Sequence, residues 1–225
     1  MRKLLATISF IISFLPLTVY AGNISGEIRQ EGTSLENVRL DGFADLKNMK
    51  FHSLTVNGHL RFFDVKIDRR LEVNGSADGR KIKCRNFVIH GSITADGLRA
   101  SEGIIHGTAT FSNVEIAKNI DVYGAFVAKS VNIAGKSIVY GNLSAENSKF
   151  QDIHLEAERA TFLGTTARNI VVKASKKHKK QTITLKGNSE ITGTIVFESG
   201  NGEVIVDETA KILGQTKGCS IKNSK

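Results

Sequence analysis

Cationic side chains recur at a fixed spacing in the first half of this chain, and regularly spaced cations can bind a regularly charged anionic polymer. Lys50, Lys66, Lys83 and Arg99 follow one another at intervals of 16 or 17 residues, in a sequence of formal net charge +9. Together with basic neighbours they form a candidate polyanion site of Lys50, Lys66, Lys81, Lys83, Arg85 and Arg99. The alternative is a solvated charged face, whose repulsion Asp64, Asp68 and Asp96 would partly offset.

The polymer expected at this site is an acidic polysaccharide or another anionic envelope glycan. Nucleic acid is not expected, because aromatic residues that could stack on bases are nearly absent around these cations. A secondary basic cluster follows later in the chain and consists of Lys176, Lys177, Lys179 and Lys180. We interpret it as a solvated insertion, and the alternative is a second contact with a polyanion or a membrane surface.

Six side chains that each precede a recurrent glycine form another candidate set: Asn57, Asn74, His90, His106, Tyr123 and Tyr140. One interpretation is a corner ladder in which like residues stack through amide hydrogen bonds and ring packing. The other makes His90 and His106 a metal pair, or makes the two tyrosines a platform for sugar rings. Two histidines without a nearby carboxylate or third ligand are a weak metal signal, so we expect no metal.

Catalytic motifs are missing from the sequence. It contains no serine nucleophile elbow, no HExxH, no phosphate-binding loop and no cysteine–histidine constellation. Repeat units of 16 or 17 residues also leave corners too short to build a cleft in which two carboxylates converge. We therefore expect neither an enzyme nor a cofactor.

An internal repeat sets the elements that position these residues. Glycines recur at Gly26, Gly42, Gly58, Gly75, Gly91, Gly107, Gly124 and Gly141, alanines replace them at Ala157 and Ala174, and Gly193 and Gly214 are predicted to continue the series. Apolar pairs lie two and four residues after the glycine, seven and nine residues after it, and four and two residues before the next one. One unit contains Leu60/Phe62, Val65/Ile67 and Leu71/Val73.

Each apolar pair describes a short strand whose two ends point inward and whose middle residue points outward. Three such strands in every unit, with all units of similar length, predict stacked coils. The fold class is therefore all-β, a single-stranded, three-sided parallel β-helix of about eleven coils and roughly 50 Å in length. A right-handed coil is expected, because parallel crossovers favour that hand.

The first 21 residues predict a signal peptide. Met1-Arg2-Lys3 is basic, residues 4–19 are mostly apolar, and small residues precede the expected cleavage after Ala21. The apolar stretch is shorter than the ~20 residues of a membrane-spanning helix. We expect export to the periplasm, the cell surface or the medium, with a β-helix domain at 22–214, a protruding basic loop at 175–181 and a polar tail at 215–225.

Two further predictions follow from the register. Cys84 occupies an inward position and Cys219 lies in the tail, about 38 Å away at ~4.8 Å per coil. A disulfide needs α-carbons within ~7 Å, so we predict none between them.

On the third face, Val88, Ile104, Ile138 and Val171 point outward, interrupted by Asp121 and His154. The adjacent Val88 and Ile104 could mark a partner surface.

The φ-x-G-x-φ spacing of residues 56–60 and 139–143 resembles the bactofilin-type, polymer-forming β-helices of bacteria, over residues 26–172. Bactofilins are cytoplasmic scaffolds, whereas this chain has a predicted export signal. The chain is therefore equally similar to exported, adhesin-type β-helices. Either resemblance implies structural or binding work. We expect a non-catalytic binding module or adhesin for an anionic polymer, and the alternative is a structural envelope protein that associates end to end into fibres or dimers.

Overall fold

Parallel strands stacked along one axis make up the computed structural model, which describes residues 22–32, 34–177 and 180–224. The predicted signal peptide, residues 1–21, lies outside this part of the chain. The strands are β1 (Gly22–Glu31), β2 (Ser34–Lys47), β3 (Lys50–Ala100), β4 (Glu102–His106), β5 (Ala109–Ile116), β6 (Ile120–Val122), β7 (Phe126–Val139), β8 (Leu143–Glu146), β9 (Lys149–Leu155), β10 (Arg159–Leu163), β11 (Thr166–Val172), β12 (Thr182–Lys186), β13 (Glu190–Ile191), β14 (Ile195–Phe197), β15 (Gly202–Val206), β16 (Lys211–Ile212), β17 (Thr216–Lys217) and β18 (Cys219–Asn223).

Strands on successive coils pair in parallel. Gly22–Glu31 pairs with residues 38–47, and β5 pairs with β7, which pairs in turn with β8 and β9. The predicted all-β parallel β-helix is confirmed, with about 11 turns. No helix of the described residues is long and apolar enough to cross a membrane.

Three faces define each coil. In the coil after Gly107, residues 109–111 belong to the first face, residues 114–116 to the second and residues 120–122 to the third. The two ends of each segment point into the prism and are buried: Ala109, Phe111, Val114, Ile116, Ile120 and Val122. Alternation with a period of two therefore produces a continuous apolar core along the axis.

Glycines inside the core are compensated by phenylalanines. A Cβ on Gly103 would overlap the ring of Phe87, and a Cβ on Gly79 would lie 2.9 Å from the ring of Phe62. The large ring of one coil fills the space that the glycine of the next coil leaves empty. This complementarity keeps the width of the prism constant and its packing dense.

The corner between the third and first faces needs glycine for two reasons. Gly75, Gly91 and Gly107 have φ of +143°, +142° and +151°, a region that side chains rarely adopt. A Cβ on each would also lie less than 3.0 Å from the carbonyl oxygen of the glycine one coil earlier. The glycine repeat is therefore required both by the sharp turn and by the close stacking of the backbone on the preceding coil.

The late glycines do not continue this column, and that prediction is wrong. A Cβ on Gly193 would meet Arg168 and Asn169, in the corner between the second and third faces, and Gly214 stacks on Gly193. Both kinds of corner bend sharply and favour glycine. The residue type alone therefore does not tell which corner it occupies.

The C-terminal boundaries also differ from the prediction. The tail expected at 215–225 continues the coils, because Thr216–Lys217 pairs with β14 and Cys219–Asn223 pairs with β15. Gln181, predicted to end a protruding loop, is buried, and its Nε2 donates to the carbonyl oxygens of Ala157 and Lys173. Weak apolar alternation at 216–223 hid these strands in the sequence.

The two cysteines are free thiols in different parts of the rod. Cys84 is buried in β3 as predicted, and desolvation raises the pKa of its thiol to about 12. Cys219 begins β18, is partly exposed, and has a pKa that desolvation also raises. The thiol of Cys84 therefore packs as a small apolar group.

Candidate functional site

The outward column of the second face carries the predicted cations. Lys50, Lys66, Lys83 and Arg99 are all exposed there, one on each of four consecutive coils. The column continues through Glu115, Asn132 and Lys149, which pair in register along the ladder. We call Lys50, Lys66, Lys81, Lys83, Arg85 and Arg99 the basic face.

The two remaining members of the basic face lie at the edges of the column. Lys81 is in the turn from the first to the second face, with φ of +54°, and its Nζ lies 5.2 Å from the centroid of the Phe63 ring. A left-handed conformation costs a lysine roughly 1–2 kcal/mol. Arg85 is exposed in the turn that leads to the third face. The column is thus widened by one cation on each side.

Acidic neighbours pair with only part of this charge. Lys66 contacts Asp68 at 2.8 Å and lowers the pKa of that carboxyl, and Arg99 contacts Glu115 at 3.2 Å. Lys50, Lys83 and Arg85 make no ion pair with any described residue. Exposed ion pairs contribute little to stability, so Lys66 and Arg99 remain able to exchange their partners for another anion.

Two shallow grooves follow the edges of this column. One has a volume of about 600 Å³ and is lined by Lys81, Lys83, Gly97, Arg99, Asn113, Glu115, Ser130 and Asn132. The other, of about 340 Å³, shares Lys83, Arg99, Glu115 and Asn132 and lies towards the third face. Cations therefore stand beside neutral hydroxyl and amide groups, which can bind sugar hydroxyls.

A row of left-handed turn residues supports one of these grooves, and it was not predicted from the sequence. Asn48, Asp64, Lys81, Asn113 and Ser130 have φ between +52° and +54°. Each lies six residues after a corner glycine, where asparagine, aspartate, glycine and serine recur. That recurrence is the signal that could have revealed a second turn in each coil.

The predicted corner ladder forms as stacked side chains. Asn57 donates to Asp41, and Nδ2 of Asn74 donates to Oδ1 of Asn57 at 2.7 Å. Four rings follow: His90 on His106 at 4.9 Å, His106 on Tyr123 at 4.8 Å, and Tyr123 on Tyr140 at 4.8 Å between centroids. Asn57 and Asn74 therefore lie in the same column as the four stacked rings, in the coils before them.

The stacking geometry argues against both functional interpretations of this ladder. His90 and His106 are parallel to within 2°, so their in-plane lone pairs do not converge on a shared ion. In the described part of the chain, no three histidine, cysteine or acidic side chains cluster closely enough to hold a metal. Tyr123 is stacked on both ring faces, by His106 and Tyr140, so the two tyrosines offer a sugar ring little more than ring edges and the outer face of Tyr140.

The lysine-rich loop lies away from the basic face. It connects β11 on the third face with β12 on the first, so it occupies the corner opposite the second face. Lys176 and Lys177 are exposed, Lys180 forms an ion pair with Glu203 at 2.8 Å, and Lys179 lies outside the described residues. The two basic clusters are therefore separate surfaces.

Two titratable groups with shifted pKa values lie in the outward column of the third face. Desolvation raises the pKa of Asp121 against the opposing effect of Lys136. Desolvation, Lys136 and Lys173 lower the pKa of His154. Both side chains are half-buried in the outward column, where Ile138 separates them.

Comparison with known proteins adds no family assignment: no family model, curated protein or solved structure matches this chain.

Proposed function

We propose that this protein is a non-catalytic, exported β-helix that binds an anionic polymer, an acidic polysaccharide or other envelope glycan, through the basic face. The observation that carries the proposal is the column of Lys50, Lys66, Lys83 and Arg99 on four consecutive coils. The resemblance to adhesin-type β-helices supports the same conclusion.

Rigid spacing is the physical basis of this recognition. Neighbouring cations of the column are one coil apart, about 4.8 Å along the axis. A stiff scaffold holds them in place before the ligand arrives, which reduces the entropy lost on binding. A polymer that carries one anion on each sugar can pair with several cations at once, and the individually weak contacts then act together.

The groove beside the column favours a sugar polymer over a nucleic acid. Asn113, Ser130 and Asn132 offer donors and acceptors for hydroxyl groups. Stacking platforms for successive bases are missing from the described residues of the second face, where Phe63 stands only at the edge, beneath Lys81. Phosphate contacts alone would give nucleic acid only a salt-sensitive, unspecific affinity.

The experiment is a comparison of salt-dependent heparin binding between the wild type and the Lys66→Glu/Lys83→Glu variant. We expect earlier elution and a salt slope smaller by about two, since each lost cation removes about one unit. The matched control, Arg159→Glu/Lys186→Glu, makes the same change in net charge at exposed positions of the first face. An acidic-glycan array then identifies the polymer that binds best.

Unchanged retention of the Lys66→Glu/Lys83→Glu variant would exclude the basic face as the site. An equal loss in the control would show that net charge, rather than the column, causes retention. A Lys176→Glu/Lys177→Glu variant tests the loop separately, and we expect it to retain most of the affinity.

The second candidate function is a structural role through end-to-end stacking. Strand β18 pairs only with β15 among the described residues, so its second edge has no partner in the part of the chain that the structure describes. Leu213 and Ile221 near this end are 62% and 51% exposed. Open edges with apolar side chains invite pairing with another chain. Filaments in electron micrographs would support this role, and short rods of uniform length at high concentration would exclude it.

A further inference from the structure

The outward side chains of the third face form a column that can pair with a second copy of itself running in the opposite direction. Strand pairing places Val88, Ile104, Asp121, Ile138, His154 and Val171 on successive coils. Val196 follows Val171 on the next coil. Ile138 is the centre of this column, with an acid one coil before it and an imidazole one coil after it.

We propose that the third face is a homodimer interface in which a second copy packs antiparallel across a two-fold axis at Ile138. In that arrangement Ile138 meets its own copy, and Asp121 faces His154 of the second copy. The carboxylate accepts a hydrogen bond from the imidazole, and the symmetry provides this contact twice. A parallel arrangement would instead place Asp121 against Asp121.

Apolar residues extend the match on both sides of the axis. Ile104 faces Val171 of the second copy, and Val88 faces Val196. Ile104 is 38% exposed, so its burial removes apolar surface from water. An isologous contact of this kind closes on itself and yields dimers, not filaments.

Charges at the two ends continue the pattern. Glu72 lies one coil before Val88, because their glycine neighbours Gly75 and Gly91 stack directly. Lys217 lies one coil after Val196. Reversal places Glu72 opposite Lys217 of the second copy. One like-charged contact remains, between Lys136 and its copy at the edge of the face, where both ammonium groups can extend into water.

The size of the face is typical of a weak, transient pair. The column spans about 30 Å, and with its flanking rows the strip is about 15 Å wide. An interface of this kind buries roughly 1,000 Å² in total, at the small end for specific pairs, so we expect a Kd on the order of 100 µM.

Sedimentation equilibrium of the purified protein, from low micromolar to millimolar concentration, tests the proposal. We expect a monomer–dimer equilibrium that Ile138→Lys weakens at least about tenfold, because like charges then meet on the axis. Val127→Lys is the control, since Val127 is an outward aliphatic residue on the first face, although it is more exposed than the half-buried Ile138. The control should keep the wild-type equilibrium.

Charge exchange tests the antiparallel register. Asp121→Lys and His154→Asp should each weaken the dimer, and the combined variant should restore it, because the introduced ammonium then faces the introduced carboxylate of the second copy. These positions point outward, and circular dichroism checks that each variant folds. A wild type that stays monomeric to about 1 mM, roughly ten times the expected Kd, or a combined variant no tighter than the single ones, would overturn the proposal.

Discussion

At the scale of single residues, the corner glycines limit the fold more than any side chain of the core. Core positions accept several apolar types, as Ala109 and Phe126 show by stacking in the same column. At Gly75, Gly91 and Gly107 the corner accepts only glycine, since both φ and the neighbouring carbonyl oxygen exclude a Cβ, and alanine takes this position only in later coils, at Ala157 and Ala174. The repeat is therefore strict at the corner and permissive inside.

A glycine pair separates these two effects. Gly91→Ala should lower the free energy of unfolding by about 3–4 kcal/mol, because the Cβ overlaps the carbonyl oxygen of Gly75 and φ is +142°. Gly97→Ala is the control, with φ of +73° but no atom nearer than 3.6 Å to the added Cβ. It should cost only about 1 kcal/mol. Urea unfolding measures both, and equal losses would contradict the close-approach explanation.

At the scale of strands and loops, irregular segments depend on polar contacts that apolar periodicity does not reveal. Ser148, Thr165 and Ser189 are buried on the second face, and the hydroxyl of each accepts a hydrogen bond from the backbone N–H one coil earlier. Glu203 has a side chain that is 8% exposed and pairs with both Lys180 and Lys222. It connects the end of the basic loop to the last strand.

The Glu203 contacts predict a pH-dependent loop. The two lysines lower the pKa of Glu203, so its stabilising contribution is present above the ordinary glutamate pKa and is lost as pH falls through the lowered value. Glu203→Gln should remove the contribution at neutral pH and accelerate tryptic cleavage in the loop. Glu146→Gln, which removes the exposed pair with Lys129, is the control. Equal cleavage rates for Glu203→Gln and the wild type would contradict this role.

The sequence predicted the regular coils well, because one glycine per coil recurs up to Gly141 and most faces carry an apolar pair, with exceptions at Gly79, Gly103 and Ser137. It predicted the C-terminal coils poorly, since hydroxyl groups replace apolar residues there and the coils lengthen around the loop. The outward position of the six cations was predictable from the same alternation. The grooves beside these cations were not predictable, because the grooves depend on the turn geometry at residues such as Lys81 and Ser130.

At the scale of the whole molecule, the three faces of the prism differ in chemistry. The second face concentrates cations in its first half, the third face carries an apolar column, and the first face between Thr94 and Thr184 exposes mainly uncharged side chains in its central column. In the antiparallel pair, the second faces of both copies would lie on the same side. Their basic halves would then point to opposite ends of the dimer and could engage one long polymer twice.

The central claim, that the basic face binds an anionic polymer, is tested most directly by lysine footprinting. The protein is acetylated with and without heparin, and mass spectrometry reports the reactivity of each lysine. We predict several-fold protection of Lys50, Lys66, Lys81 and Lys83, with Lys129 and Lys186 on the first face unprotected. Uniform protection of all lysines, or protection confined to Lys176 and Lys177, would contradict the account.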